Sequence, residues 1–271
     1  MTESKKNKSK DNTQNSTEVF ADYARYYDLL YRDKDYAAEA EYVANLIHKF
    51  HPAARTILEL GSGTGIHANL LAEKGFMIHG IERSQEMLAR SQSLAKSRNV
   101  GNGQLTFSTG DIRDVRLTKS FDVIIALFHV ISYQTTNEDV MAAFESARNH
   151  LKPGGIFIFD VWYGPAVLTE LPEVRIKRMS DSQIEITRLA EPLIHYNENR
   201  VDVNYHMFVR DLITQTVSEL KETHVMRYFF KSEIILYAKL SSFKIQNVEE
   251  WYSKKAIGTD TWSACFCLQA V

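Results

Sequence analysis

Nine residues, Glu59-Leu60-Gly61-Ser62-Gly63-Thr64-Gly65-Ile66-His67, constrain the fold of this chain more than any other stretch. They follow a β-type run, Thr56-Ile57-Leu58, and lead into a helical pattern, Leu70-Leu71-Ala72-Glu73-Lys74. Glycines at 61, 63 and 65 let the backbone turn sharply and bring bare N–H groups close to a ligand, where a side chain would block it. A second acid, Glu82, ends the next apolar run. An acid roughly 20 residues beyond a glycine turn is the ribose-binding arrangement of nucleoside-cofactor folds. Dinucleotide sites use Gly-x-Gly-x-x-Gly and lay a pyrophosphate on the helix N-terminus. Here the spacing is Gly61-x-Gly63-x-Gly65, and the carboxylate of Glu59 before it would repel a pyrophosphate and suit a cation.

The rest of the chain supplies the sheet such a loop needs. Residues 35–50 space their apolar side chains as one helix face. Strand-like runs at 56–60, 77–82, 105–109 and 121–127 then alternate with helices, with Ser84 and Asn137 as start signals. Lys152-Pro153-Gly154-Gly155 reads as a stop and turn into a fifth strand, 156–161. This alternation predicts an α/β fold with a doubly wound parallel sheet. After Trp162 the pattern changes: 174–179, 183–190, 200–209 and 214–228 alternate polar and apolar residues, as in an antiparallel meander. Ser232 reads as the cap of a helix to Leu240, followed by strands at 243–252 and 262–271 that complete a seven-stranded, Rossmann-like sheet. The expected division is a disordered tail over 1–18, a helical lid over 19–54 and a cofactor-binding core over 55–164. An antiparallel insertion over 165–230 and a C-terminal helix and hairpin over 231–271 follow.

Composition narrows the partners. A formal charge of −2 over 271 residues leaves no electrostatic footprint for nucleic acid. The basic run Lys5-Lys6-Asn7-Lys8-Ser9-Lys10 lacks an apolar stretch beside it, and no run is long enough to span a membrane. Cys265 and Cys267 lie two apart on one strand face, poorly placed to bridge, and no His/Cys set suggests a metal. A cytoplasmic location is the expectation.

In an open α/β sheet, ligands bind at the C-terminal ends of the strands. Those ends carry Glu59, Glu82 (able to accept from both ribose hydroxyls), Asp111 (able to accept an adenine amino group, with Ile112 against the ring), and Leu127-Phe128-His129. The loop resembles the glycine-rich motif of S-adenosylmethionine-dependent methyltransferases, whose cofactor carries a sulfonium and an ammonium and no phosphate. Residues 55–161 as a whole resemble the class I fold of that group. Tyr26-Tyr27-Asp28-Leu29-Leu30-Tyr31 and Lys34-Asp35-Tyr36-Ala37-Ala38-Glu39 resemble the N-terminal segment of methyltransferases that dimethylate the amine of nucleotide-linked deoxyamino sugars. The resemblance implies that Tyr36, Gly61, Ser62, Gly63, Gly65, His67, Glu82, Arg83, Met87, Asp111, Ile112, Leu127 and Phe128 hold the cofactor with Glu59. It places Tyr31 and Tyr27 near the acceptor, with His129 as a candidate base. Tyr133, Trp162, Tyr163 and Arg178 are expected on the acceptor side, where Arg175, Lys177 and Arg188 are further cations for a diphosphate. The insertion is also a candidate surface for a homodimer.

Methyl transfer from a sulfonium is an in-line displacement, and alignment of the reacting atoms is worth roughly 7–11 kcal/mol. A neutral amine needs little help from a base, whereas a hydroxyl needs its proton removed, so His129 discriminates between amine and hydroxyl acceptors. Other readings stay open: an O- or N-methyltransferase for another small metabolite, a non-catalytic cofactor-binding protein, or a dehydrogenase if the loop binds a pyrophosphate.

Overall fold

A computed structural model describes residues 24–98, 101 and 103–271 of the chain. The expected tail over 1–18 and the first residues of the lid lie outside the described residues.

The central sheet is built from five runs, largely buried on both faces in the inner strands and half-exposed in the edge run Leu105–Thr109. These are β1 (Thr56–Leu60), β2 (Met77–Glu82), β3 (Leu105–Thr109), β4 (Phe121–Ala126) and β5 (Leu151–Tyr163). They run parallel in the order β3-β2-β1-β4-β5. β11 (Ser263–Ala270) pairs antiparallel with β5 and with β10 (Phe243–Glu250), giving the seven strands expected. Helices α2 (Tyr36–Phe50) and α3 (Ile66–Glu73) cover one face through Val43, Ile47 and Leu71, which meet Ile57, Val123 and Ile158. Cys265 and Cys267 are buried on this face as free thiols. Helices α5 (Asn137–His150) and α7 (Lys231–Leu240) cover the other face, with Phe144 against Phe157, Phe159 and Phe243. Helix α4 (Gln85–Ser97) lies beside β3, capped by Ser84, whose hydroxyl accepts from Met87 N at 3.3 Å.

Three local expectations shift. Lys152–Gly155 does not end in a turn before the strand. β5 starts at Leu151 and runs through those residues, which the change of register from Phe121↔Leu151 to Val123↔Ile156 absorbs. The cap of α5 is Thr136, whose hydroxyl accepts from Asp139 N, and Asn137 is the first helical residue. The start of α7 is held by Glu233, whose carboxylate accepts from Phe230 N at 2.9 Å, and Ser232 lies inside the helix.

The meander after β5 forms as expected. After the short α6 (Gly164–Thr169), strands β6 (Arg175–Ser180), β7 (Ile184–His195), β8 (Arg200–Asp211) and β9 (Val217–Phe229) pair antiparallel in sequence order. The end of β9 pairs with the end of β5 through Trp162↔Tyr228 and Tyr163↔Phe229, so this sheet stands at the C-terminal end of the core strands. Helix α1 (Ala24–Leu30) packs Tyr26 and Leu30 against Ile186, Met207 and Val209 on its inner face. A space bounded by strand ends, α1 and this second sheet is the result.

Candidate active site

Gly61, Gly63 and Gly65 all have positive φ, at 69°, 55° and 77°. The amides of Gly61 and Ser62 both donate to the Ile81 carbonyl at 2.9 Å, tying the loop to β2. A Cβ on Gly61 would meet Val130 at 2.7 Å and one on Gly65 would meet Ser91 at 2.8 Å, while Gly63 faces open space. Two of the glycines are therefore fixed by close packing, and the third leaves a cradle above the loop. Glu82 is pinned beneath it: its carboxylate accepts from Gly63 N and Ser84 N, each at 2.8 Å, and burial raises its pKa.

Glu59 is 2 % exposed, and its Oε2 has no hydrogen-bond partner. Burial, reinforced by the charge of Glu82, pushes its carboxyl up to about 8. An unmet buried carboxylate oxygen beside an open glycine fits an ammonium, and two acids at the loop disfavour a phosphate. This donor set fits S-adenosylmethionine.

At the end of β3, Asp111 accepts from Arg113 Nη2 at 2.7 Å, Arg113 Nε at 2.9 Å, Arg113 N at 3.0 Å and Arg83 Nη1 at 3.1 Å. Burial opposes its ionisation, but the Arg113 bonds win and hold the carboxyl at about 2. An adenine amino group must therefore compete with arginines for this acid. Ile112 and Met87 are buried, whereas Leu127 is withdrawn: its side chain packs in the core beside α2 and α3.

The lid reaches the site through α2. Asp35 caps that helix by accepting from Ala38 N at 3.0 Å, which sets Tyr36 at its start. The Tyr36 ring lies 5.0 Å from that of buried His67, and His67 Nε2 lies 2.8 Å from Glu39. Glu39 also pairs with Lys34 and accepts from Trp251 Nε1 at 3.1 Å. The Lys34 ammonium sits 4.8 Å from the centre of the Tyr36 ring and 4.6 Å from that of Phe128. Tyr31 stands edge-on to Phe128 at 5.2 Å, with Tyr27 4.7 Å from Tyr31.

Phe128 and His129, just past β4, both have φ of 64°, a conformation that costs energy for residues with a side chain. Asp160, 1 % exposed, holds the turn: both its oxygens lie 3.2 Å from His129 N, which donates to them. The same carboxylate lies 2.7 Å from His129 Nδ1, too far off line for a proper hydrogen bond, and accepts from Ser263 at 3.3 Å. Trp162 completes this wall, 6.3 Å from the His129 ring.

Strand alternation separates the remaining predicted residues. Trp162 turns to the site, but Tyr163 faces the opposite way and is buried with Phe229 and Tyr237 in the core beside α5 and α7. Arg178 likewise lies on the outer, exposed face of the second sheet. Lys177 and Arg188, paired across β6 and β7, hold the inner face: Lys177 meets Asp33 at 2.8 Å, and Arg188 donates to Tyr31 Oη at 3.3 Å. Tyr133, on the 3₁₀ turn Val130–Tyr133, lies 2.8 Å from His224 Nδ1 on β9. The sequence reading missed Lys34, Glu39, Asp160, Glu222 and His224 as parts of this space. Asp160 had a signal, an acid near the end of a strand in series with Glu59, Glu82 and Asp111.

Residues 57–155 match the family model of a methyltransferase domain. The chain is 29 % identical, over 78 % of its length and 86 % of the relative's, to dTDP-3-amino-3,4,6-trideoxy-alpha-D-glucopyranose N,N-dimethyltransferase of Streptomyces venezuelae. It is 27 % identical, over 79 % of its length and 82 % of the relative's, to dTDP-3-amino-3,6-dideoxy-alpha-D-glucopyranose N,N-dimethyltransferase of Streptomyces fradiae. The crystal structure of Streptomyces venezuelae DesVI superposes with a TM-score of 0.76 at 26 % identity, covering 93 % of this chain and 99 % of that one. A glycine loop flanked by acids, a seven-stranded sheet with its antiparallel last strand and these likenesses agree, and the chain is an S-adenosylmethionine-dependent methyltransferase that resembles amino-sugar N,N-dimethyltransferases.

Proposed function

We propose that this chain methylates the amino group of a nucleotide-linked deoxyamino sugar. The observation that carries the reading is the enclosure of the β4 end by Tyr27 and Tyr31 on one side and by the inner face of the β6–β9 sheet on the other. The named relatives act on such sugars, and their likeness extends over most of the chain. Residues 19–54 act as a lid, 55–164 with 231–271 as the cofactor-binding core, and 165–230 as the acceptor platform. Glu59 and the Gly63 cradle hold the amino-acid end of the cofactor, Glu82 its ribose, and Asp111 with Ile112 and Met87 its base. The bound cofactor supplies an electrophilic methyl group. Tyr27, Tyr31, Phe128 and Trp162 wall off water and orient the acceptor nitrogen, and Lys177 and Arg188 supply cations for a diphosphate.

One feature favours a second reading. His129, 2.7 Å from buried Asp160, puts an imidazole at the β4 end, and a hydroxyl acceptor needs a base there far more than an amine does. Mass spectrometry after incubating the enzyme and cofactor with nucleotide-linked amino sugars and their hydroxyl counterparts separates the two. Mass gains of one or two methyl groups on the amines alone support N-methylation, and gains on the hydroxyl compounds overturn it. Among the described residues no helix is long and apolar enough to cross a membrane. A cytoplasmic location, supported by the free buried thiols, and a homodimer paired through the outer face of the second sheet belong to the same proposal.

A further inference from the structure

Lys34 is a lid cation that the reading above does not use. The turn between α1 and α2 fixes it: its amide donates to the Tyr31 carbonyl at 3.1 Å, and its carbonyl accepts from Tyr36 N at 3.0 Å. Its ammonium pairs with Glu39, and both side chains are 14 % exposed. Two rings flank that ammonium, with centres 4.8 Å away for Tyr36 and 4.6 Å away for Phe128. Both rings are set beside the glycine loop. Tyr36 stands edge-on to His67, on the helix that starts where the loop ends. Phe128 lies in the turn that leads to Val130, and a Cβ on Gly61 would meet Val130 at 2.7 Å. One carboxylate and two aromatic faces thus hold the Lys34 ammonium between lid and loop.

Aromatic faces beside an ionised acid attract any cation, and more strongly as water is excluded. Burial opposes the charge of Glu39, but the bonds from His67 and Lys34 outweigh it and hold the carboxyl at about 2. We propose that Tyr36, Phe128 and Glu39 form the cage for the cofactor's sulfonium, and that Lys34 competes with the sulfonium for it. This rests on the cofactor and not on which acceptor is methylated. Like charges exclude each other from so small a space, so Lys34 withdraws as the sulfonium enters, and one cation replaces another. Methyl transfer joins the acceptor to the methyl carbon as the S–C bond breaks, and that bond's electron pair stays on sulfur. The sulfur is then neutral and the cage has lost its cation. The Lys34 ammonium returns to it and favours departure of the product. Phe128 marks the boundary of the cage, with Lys34 on one side and Tyr31 edge-on at 5.2 Å towards the acceptor.

S-adenosylmethionine and S-adenosylhomocysteine differ in one methyl and in the charge on sulfur, so calorimetry with both tests cage and competitor separately. Phe128→Leu removes an aromatic face and keeps an apolar side chain. It should shift the ratio of the two affinities towards S-adenosylhomocysteine by about fivefold or more. Lys34→Met keeps the apolar stem and removes the competing charge. It should tighten S-adenosylhomocysteine binding by about fivefold and slow its release, whereas loss of a residue that only braces the lid would loosen binding. Lys34→Arg, which keeps a cation, should stay within about twofold of wild type, and thermal melts check that each variant is folded. An unchanged ratio in Phe128→Leu overturns the inference, whatever that variant does to the acceptor. Unchanged or weakened binding in folded Lys34→Met overturns it as well. If wild type binds neither molecule, the cofactor assignment fails and this inference with it.

Discussion

Glu59 combines three properties that rarely coincide: it is buried, it has an oxygen without a partner, and a second acid lies close by. Near neutral pH its carboxyl, raised to about 8, holds a proton in the free protein. A cofactor ammonium beside it favours the ionised form, so binding should expel that proton. Calorimetry of S-adenosylhomocysteine binding at pH 6.5 in buffers of different ionisation enthalpy should therefore report release of about one proton, and Glu59→Gln should abolish it and weaken binding about tenfold or more. The sign for stability follows from the same shift. An acid whose folded pKa lies above its unfolded value keeps a proton that the unfolded chain sheds, so stability falls from about pH 4.5 to about pH 8. Glu59→Gln should raise the melting temperature of the free protein by several degrees at pH 8 and by much less at pH 5. Equal melting shifts at both values would rule out the raised carboxyl.

At the scale of elements, the strands of the core were legible because each is a short apolar run bounded by turn residues, and the glycine loop marked β1 unambiguously. The meander was legible for a different reason, its alternation of polar and apolar residues. What that alternation could not give was direction. A strand with charges on one face and mixed residues on the other does not reveal which face meets the core, and Arg178 and Lys177 exchange roles on that point alone. Tyr163 and Trp162 differ in the same way: both are aromatic, and only the packing of β5 against α5 and α7 decides which is core. The cap of α7 escaped because its ligand is a glutamate reaching back from the first turn. Glu222 and His224 escaped because alternation along β9 does not say which face turns inward. The faces make a clean prediction. Arg188→Ala should raise KM for the sugar nucleotide about tenfold through loss of the contacts at Tyr31, whereas Arg178→Ala should leave it within about twofold. Comparable effects of the two would mean that the outer face also meets the acceptor.

Across the whole molecule, lid, loop helix and C-terminal hairpin meet at one carboxylate. Glu39 on α2 engages Lys34 from the lid, His67 from the helix that follows the glycine loop, and Trp251 from the connection between β10 and β11. Three segments far apart in sequence are thus held by a group that burial alone would keep protonated. Burial disfavours its charge, but the bonds from His67 and Lys34 outweigh that and hold the carboxyl at about 2. Since the folded value lies below the unfolded one, this contribution is complete above about pH 4.5 and is lost as pH falls towards 2. Glu39→Gln keeps the size of the side chain but leaves Lys34 without its counter-charge and weakens the bond to His67. It should lower stability by about 2 kcal/mol at pH 7, a loss of roughly 4–8 °C in melting temperature for a chain of this size, and by progressively less below pH 4. Hydrogen exchange should place the damage. Amides at the start of α2 and around Trp251 should exchange faster while those of β1, β4 and β5 keep their protection, because Val43 and Ile47 further along α2, with α3, still cover that face of the core sheet. A uniform loss of protection would instead make Glu39 part of the core's own stability, and the lid would then be no separable unit.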